Sequence, residues 1–322
     1  MKLYIYYSFL IILALLFISC TLKKQHNKSQ QKELLNEKGQ PITISRGNIE
    51  AVFIDNQAYG EFHRAGYNGI AELRHTSQDS TLFVPFYAGF NLEHIFGGDS
   101  LIELFEPRRH PMSLSKISDY KVMLQQPETP LSHVESWTEF ELTPPHYIDI
   151  TFRCVIHSDE IFKHGYAGLF WASYIHAPKD IKIYFWGREN NETDCKWIAA
   201  YSPQHGVRSS HRWEKDIFKL FTAPNFNVTL VMDYSEYRFK YPFYYGYFHN
   251  MIFAYFFKSS PKQFIRFAQS PTGGGKENPA WDLQFIIPDF ELGKEYSFSA
   301  RLVYKPFISR DDIKQEYFNW KE

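Results

Sequence analysis

The chain has 322 residues, including 30 Phe, 22 Tyr and 7 Trp, with 44% hydrophobic and 22% charged residues, which excludes a disordered polymer. A formal net charge of -1 gives no basic field to hold a nucleic-acid backbone. Three cysteines cannot build a disulfide framework, and no CxxC pair suggests a zinc site.

Lys2, the apolar run Phe9 to Ile18 and the small Ser19 before Cys20 read as a secretory signal. The tetrad Phe17-Ile18-Ser19-Cys20 resembles the lipobox of bacterial lipoproteins. That likeness implies lipidation of Cys20 and anchoring in the bacterial cell envelope, on its periplasmic or outer-membrane face. Tyr4 to Ile18 is shorter than the roughly 20 residues of a membrane span. Thr21 to Gln40 is polar, lysine-rich and without apolar periodicity, as in a flexible tether. With Lys2 and a tether of net +3 set aside, the rest of the chain carries -5.

From about Ile49 onward, short apolar or alternating runs recur between turn residues. Strands are expected at Ala51–Ile54, Gly69–Arg74, Thr81–Pro85, Tyr120–Gln125, Ser136–Leu142, Tyr147–Ile156, Ala167–Tyr174 and Ile181–Trp186. Further strands are expected at Lys196–Ala200, Asn227–Asp233, Tyr241–Tyr247, Met251–Phe257, Gln263–Ala268, Leu283–Ile287 and Tyr296–Tyr304. The one persuasive helix is Arg310 to Trp320, capped by Ser309 with Asp311 and Asp312 in its first turn. The expected fold is all-β, a large two-sheet antiparallel β-sandwich with a short C-terminal helix. The expected organisation is signal 1–20, tether 21–45, a single sandwich domain 46–308 and helix 309–322. Cys154 on a strand and Cys195 in a polar loop are expected to stay unbonded.

The series Ala65-Gly66-Tyr67-Asn68-Gly69, Ala88 to His94, Trp171 to Pro178 and Asn278 to Asp282 resembles secreted proteins of environmental bacteria. Those share the β-supersandwich of the galactose-mutarotase-like superfamily. The likeness covers about residues 50 to 308. It implies a carbohydrate ligand on the concave face of the larger sheet, and a mid-chain histidine acting as acid.

Five constellations could carry chemistry. Glu93 and His94 precede a Gly97-Gly98 turn, and Arg108-Arg109-His110 follows; Arg109 would clamp a carboxylate or sugar hydroxyls. Tyr174 and His176 share one strand face. His205, Arg208 and His211 lie in a polar loop whose spacing does not make a zinc set. Tyr245 and Tyr247 offer rings with hydroxyls, which suit sugar C–H faces or simply fill a core. Gly273-Gly274-Gly275-Lys276 lacks the phosphate-loop pattern and reads as a hairpin loop leading to Trp281, a stacking platform, and Asp282.

The combined reading is an envelope-anchored protein acting on carbohydrate, as a hydrolase, lyase or epimerase. His176 would be the acid and Asp282 the base, with His94, His205 and Glu93 as further catalytic groups. Arg109, Tyr245, Trp281, Tyr174 and Arg208 would bind the sugar. This requires the histidines to converge within reach of one another. Otherwise a non-catalytic glycan-binding lipoprotein is the better reading. No metal or cofactor is expected, the partner is an oligo- or polysaccharide, and the chain is expected to be a monomer.

Overall fold

Val134–Thr143 and Tyr147–Ile156 bury every second residue, so each shows one apolar and one wetter face. They pair antiparallel along their whole length and set the pattern of the molecule. The structure, a computed structural model, describes residues 40–99 and 104–322; the signal, Cys20 and most of the tether lie outside them.

In chain order the strands are β1 (Ile42–Arg46), β2 (Ile49–Ile54), β3 (Gly69–His75), β4 (Asn91–Phe96), β5 (Ser113–Ser118) and β6 (Lys121–Gln126). There follow β7 (Val134–Thr143), β8 (Tyr147–Ile156), β9 (Tyr166–Ala172), β10 (Ile183–Glu189), β11 (Lys196–Ala200) and β12 (Ser210–Trp213). The last are β13 (Tyr234–Phe239), β14 (Phe243–Phe248), β15 (Met251–Ser259), β16 (Phe264–Ser270), β17 (Ala280–Pro288) and β18 (Glu295–Pro306). Single-turn helices α1 (Glu106–Arg109) and α2 (Thr229–Met232) precede the terminal helix α3 (Arg310–Lys321).

Fourteen strands form one hydrogen-bonded path, β4-β9-β17-β16-β12-β13-β10-β14-β15-β18-β8-β7-β6-β5, with β11 added beside β10. All pairs are antiparallel except β12 with β13. The path folds back on itself. Trp171 of β9 meets Phe152 of β8 at 4.7 Å and Phe298 of β18 at 5.3 Å, and Phe285 of β17 meets Phe298 at 5.0 Å. These ring contacts join two layers into a sandwich around one apolar core. The small sheet β1-β2-β3 closes the same core, with Phe53 5.2 Å from Phe140. The all-β, two-layer architecture expected from the sequence is the one observed.

The outer face of β4, β9, β17 and β16 is covered by the segment 214–232. Phe226 packs on Phe96 and Phe218 on Tyr166, while Asp216 pairs with Arg266 at 2.6 Å. Asn227–Asp233, expected as a strand, instead contains α2. The hydroxyls of Ser209 and Ser210 donate to the Leu230 carbonyl, at 3.1 and 2.9 Å, and hold that turn against the sheet. Thr81–Pro85 likewise makes only an isolated bridge, Phe83 with Ile175. β1 begins at Ile42, inside the stretch expected as tether. Ser309 does cap α3, accepting from the Asp312 amide at 3.1 Å. The helix lays Ile313 and Tyr317 against the far face of β14 and β15.

Candidate active site at a bulged edge strand

β4 ends the path and, among the described residues, pairs only with β9. Its register slips between Leu92, opposite Trp171, and His94, opposite Phe170, so Glu93 is an extra, bulged residue. A bulge re-aims side chains. Glu93 and His94, adjacent in sequence, therefore contact each other, with His94 Nε2 3.0 Å from Glu93 Oε1. Asn68 braces the distortion: its amide nitrogen donates to the Leu92 carbonyl and its oxygen accepts from the Leu92 amide, both at 3.0 Å. Asn91 connects the brace to the site, accepting from Asn68 and donating to Glu93 Oε2 at 3.1 Å.

Three further groups surround the carboxylate. The Tyr174 hydroxyl donates to Glu93 Oε2. Arg108 Nη1 stands 3.7 Å from the same oxygen, with its guanidinium 4.1 Å over the Tyr67 ring. His94 Nδ1 donates to the Leu104 carbonyl at 2.9 Å. Tyr67, Tyr87 and Tyr174 pack ring on ring, with centroids 4.6 to 5.5 Å apart.

Electrostatics separates the acids. Burial would raise the Glu93 carboxyl, but the His94 ring, the Tyr174 hydroxyl and Arg108 outweigh it and hold it below its ordinary value. Tyr174 is pushed well above the usual phenol range, first by burial and then by the Glu93 charge. Asp282 sits on the outer face of β17, two strands from β4, with backbones about 10 Å apart. Burial, then the Glu93 charge, hold it well above the usual carboxyl range, although the Ser173 amide donates to it at 3.1 Å. The two carboxyls are thus shifted in opposite directions, Glu93 below its ordinary value and Asp282 above it.

Beside Arg108 opens a cleft of about 890 Å³ lined by Asn56, Gln57, Ala65, Gly66, Phe105, Arg108 and Arg109 among others. Arg109 is exposed there, whereas Arg108 turns inward to Glu93.

The remaining expected residues lie elsewhere. His176 is six residues along the β9 direction from Phe170, the partner of His94, or about 20 Å of extended chain. His205 is exposed, with Nδ1 2.8 Å from the Ser270 hydroxyl, at the Tyr174 end of the sheet. Among the described residues no hydrogen bond or ion pair joins His94, His176 and His205. His211 is in the sandwich core, between Ser235 and Gln269. Arg208 makes a surface pair with Glu236 at 3.3 Å. Trp281, expected as a platform, is fully buried, stacked on Phe253 and donating to the Ile181 carbonyl. Tyr245 lies beneath α3, accepting from Arg310 at 3.2 Å. Alternation within β17 aims Trp281 inward and leaves Asp282 on the outer face. Arg108, Asn68 and Asn91 all stand in the quoted motifs, Arg108 within the Arg108-Arg109-His110 triplet, but Arg109 was the arginine chosen as the clamp. Cys154 and Cys195 are both unbonded, the first fully buried on β8. Among the described residues no group of three His, Cys, Asp or Glu side chains is placed to hold a metal ion.

Neither a family model nor a curated protein matches the chain. Solved structures do. One is a protein from Escherichia coli K12 provisionally named an aldose 1-epimerase, with 11% identity, TM-score 0.43, and 83% of this chain and 99% of that chain covered. A heparan sulfate lyase from Pedobacter heparinus gives 8% identity and TM-score 0.42, covering 81% of this chain and 34% of that one. A 4-alpha-glucanotransferase from Thermococcus litoralis gives 9% and 0.40, covering 85% and 40%. The chain thus spans little more than a third of the two larger enzymes.

Proposed function

We propose that the chain acts on carbohydrate, moving a proton at a sugar held in the cleft beside Glu93. The observation that carries this is the Glu93 carboxylate, kept ionised in a nearly buried site while touching a phenol that keeps its proton. Glu93 would accept a proton from the sugar, and Tyr174 would supply one. His94, tied to the Leu104 carbonyl, holds the carboxylate in place. Tyr67, Tyr87 and Phe105, all half-buried, present rings suited to sugar C–H faces. Asp282 is a second carboxyl on the same face, shifted upward by burial and by the Glu93 charge. The reaction class is hydrolysis, elimination or epimerisation.

The test is a screen of the full chain on plant and algal polysaccharides, reading binding and product release. Glu93→Gln and Tyr174→Phe should each lower turnover by about 10²-fold or more. Unchanged activity per folded molecule in Glu93→Gln would sink the reading. One observation favours a non-catalytic glycan-binding protein: every contact of Glu93 is internal and its side chain is only 9% exposed. On that reading the screen yields binding without product, and Glu93→Gln binds as the parent does.

The lipobox-like tetrad supports a second proposal, that Cys20 anchors the chain in the cell envelope. Cys20→Ser should move it from the membrane fraction to the soluble one. A variant that fractionates with the parent would instead indicate an ordinary membrane span.

A further inference from the structure

Another cavity lies at one end of the sandwich, where the β13–β14 turn, the β15–β16 turn and the last turn of α3 meet. It holds about 460 Å³, within the roughly 300–1,000 Å³ of small-molecule pockets. It shares no lining residue with the cleft beside Arg108. Its lining residues are all described. The stretch 100–103 follows β4, which is three strands from β16, the nearest strand in this wall.

Trp213, Tyr241 and Phe264, all half-buried, give the wall its ring surface. The Trp213 indole donates to the Lys240 carbonyl at 3.1 Å, and the next amide, of Glu214, donates to the Phe239 carbonyl at 2.9 Å, which fixes that ring. Four exposed lysines, Lys215, Lys240, Lys258 and Lys321, stand around the cavity against one carboxylate, Glu214, itself 3.8 Å from Arg188. Lys258 is engaged, donating to the Trp320 carbonyl at 2.6 Å. Lys215 and Lys240 lie 5.5 and 5.9 Å over Trp213 and Tyr241, and among the described residues neither makes a hydrogen bond or an ion pair. Gln263 Oε1 is buried with no hydrogen-bond partner among the described residues. The Gln263 backbone is held all the same, its amide donating to the Ser260 carbonyl at 3.0 Å and its carbonyl accepting from the Ser259 hydroxyl at 3.4 Å. A buried acceptor left unpaired is costly, and a ligand with one donor relieves it.

We propose that this cavity binds a hydroxylated aromatic carboxylate, its ring against Trp213 and Tyr241, its carboxylate at the lysines and its phenol donating to Gln263 Oε1. Ring walls match a flat apolar body, the surplus of cations selects an anion, and one buried acceptor takes one donor. A sugar brings several hydroxyls into a wall that offers a single buried partner, and each unpaired one is penalised. An alkyl carboxylate brings no donor for Gln263. The site stands apart from the carbohydrate reading at Glu93 and does not depend on it.

The experiment is calorimetric titration of the full chain at neutral pH with 4-hydroxycinnamate, beside its methyl ester, cinnamate, decanoate and glucuronate. The ester removes the charge, and cinnamate removes the donor. 4-Hydroxycinnamate should bind about 10-fold or more tighter than its ester, with a margin that shrinks in high salt. It should bind about 3- to 10-fold tighter than cinnamate. Gln263→Leu should erase the second margin and keep the first, whereas Lys215→Gln and Lys240→Gln should narrow the first and keep the second. Trp213→Ala should weaken every aromatic probe by about 10-fold. Both lysines are exposed, so their variants keep the test decisive if Trp213→Ala folds poorly. Equal binding of acid and ester, or of 4-hydroxycinnamate and cinnamate, overturns the proposal. Tighter binding of decanoate overturns it in favour of an acyl chain, and tighter binding of glucuronate in favour of a sugar acid. No binding of 4-hydroxycinnamate at millimolar concentration also overturns it, and each of these outcomes leaves the reading at Glu93 where it stood.

Discussion

Arg266 grips both oxygens of Asp216, at 2.6 and 3.1 Å, and neither side chain reaches solvent. The same guanidinium donates to the Phe218 carbonyl and the Tyr234 hydroxyl, so it pins the covering segment 214–232 to β16 and β13. Removing one partner leaves the other charge buried and uncompensated. Asp216→Asn should cost about 3–5 kcal/mol in urea unfolding. Replacing both partners with apolar residues of similar volume should cost far less. If Asp216→Asn unfolds at the parental urea midpoint, the segment is not held by this pair.

His211 gives a pH signature. Buried in the core, its ring is pushed down to about 3, against 6.5 in an unfolded chain. Between those values the unfolded state binds a proton that the folded state refuses, so stability falls as the solution is acidified. From pH 7 to pH 5 this one group should remove about 2 kcal/mol. His211→Gln keeps polar atoms for Ser235 and Gln269 but does not titrate. The stability gap between parent and variant should shift by that amount over the two pH values. A constant gap would show that the folded ring takes up its proton as the unfolded one does.

Trp281 should behave as core. It is fully buried, and a Cβ built on Gly246 would lie 2.2 Å from its ring. Trp281→Ala should cost about 3–5 kcal/mol by leaving a cavity. Gly246→Ala should cost about 1–3 kcal/mol by overfilling the same place. Sugar binding per folded molecule should be unchanged in both, and a selective loss of binding would restore the platform role.

Strand positions were legible wherever one face is wet. The alternation of Tyr147–Ile156 matches β8 residue for residue, and the Ser309 cap and acidic first turn mark α3. Direction was harder to read where strands are buried on both faces. β17 has eight buried residues in succession, so Trp281 and Asp282 carry no sign of which faces the core. Glu93, His94 and Tyr174 were marked as chemical groups, but their meeting depends on a bulge that strand parity does not show. Arg109 was favoured over Arg108 because nothing in a doublet tells which guanidinium a four-residue turn sends inward. His176 lies past the end of β9 and His205 in the loop between β11 and β12, as expected, and neither contacts the Glu93–His94 pair among the described residues.

The bulge in β4 is one residue long. Were Glu93 absent, Leu92 opposite Trp171 and His94 opposite Phe170 would join into an unbroken ladder. The sheet would lose the carboxylate that Asn91, His94, Tyr174 and Arg108 contact, while the Asn68 bonds to Leu92 and the core side of β4 involve neither Glu93 nor its side chain. The step between a sandwich without this carboxylate and one bearing it beside a phenol is therefore a single in-frame codon, gained or lost. Chains of this architecture with and without that codon would share a shape and differ in whether a carboxylate stands at this edge.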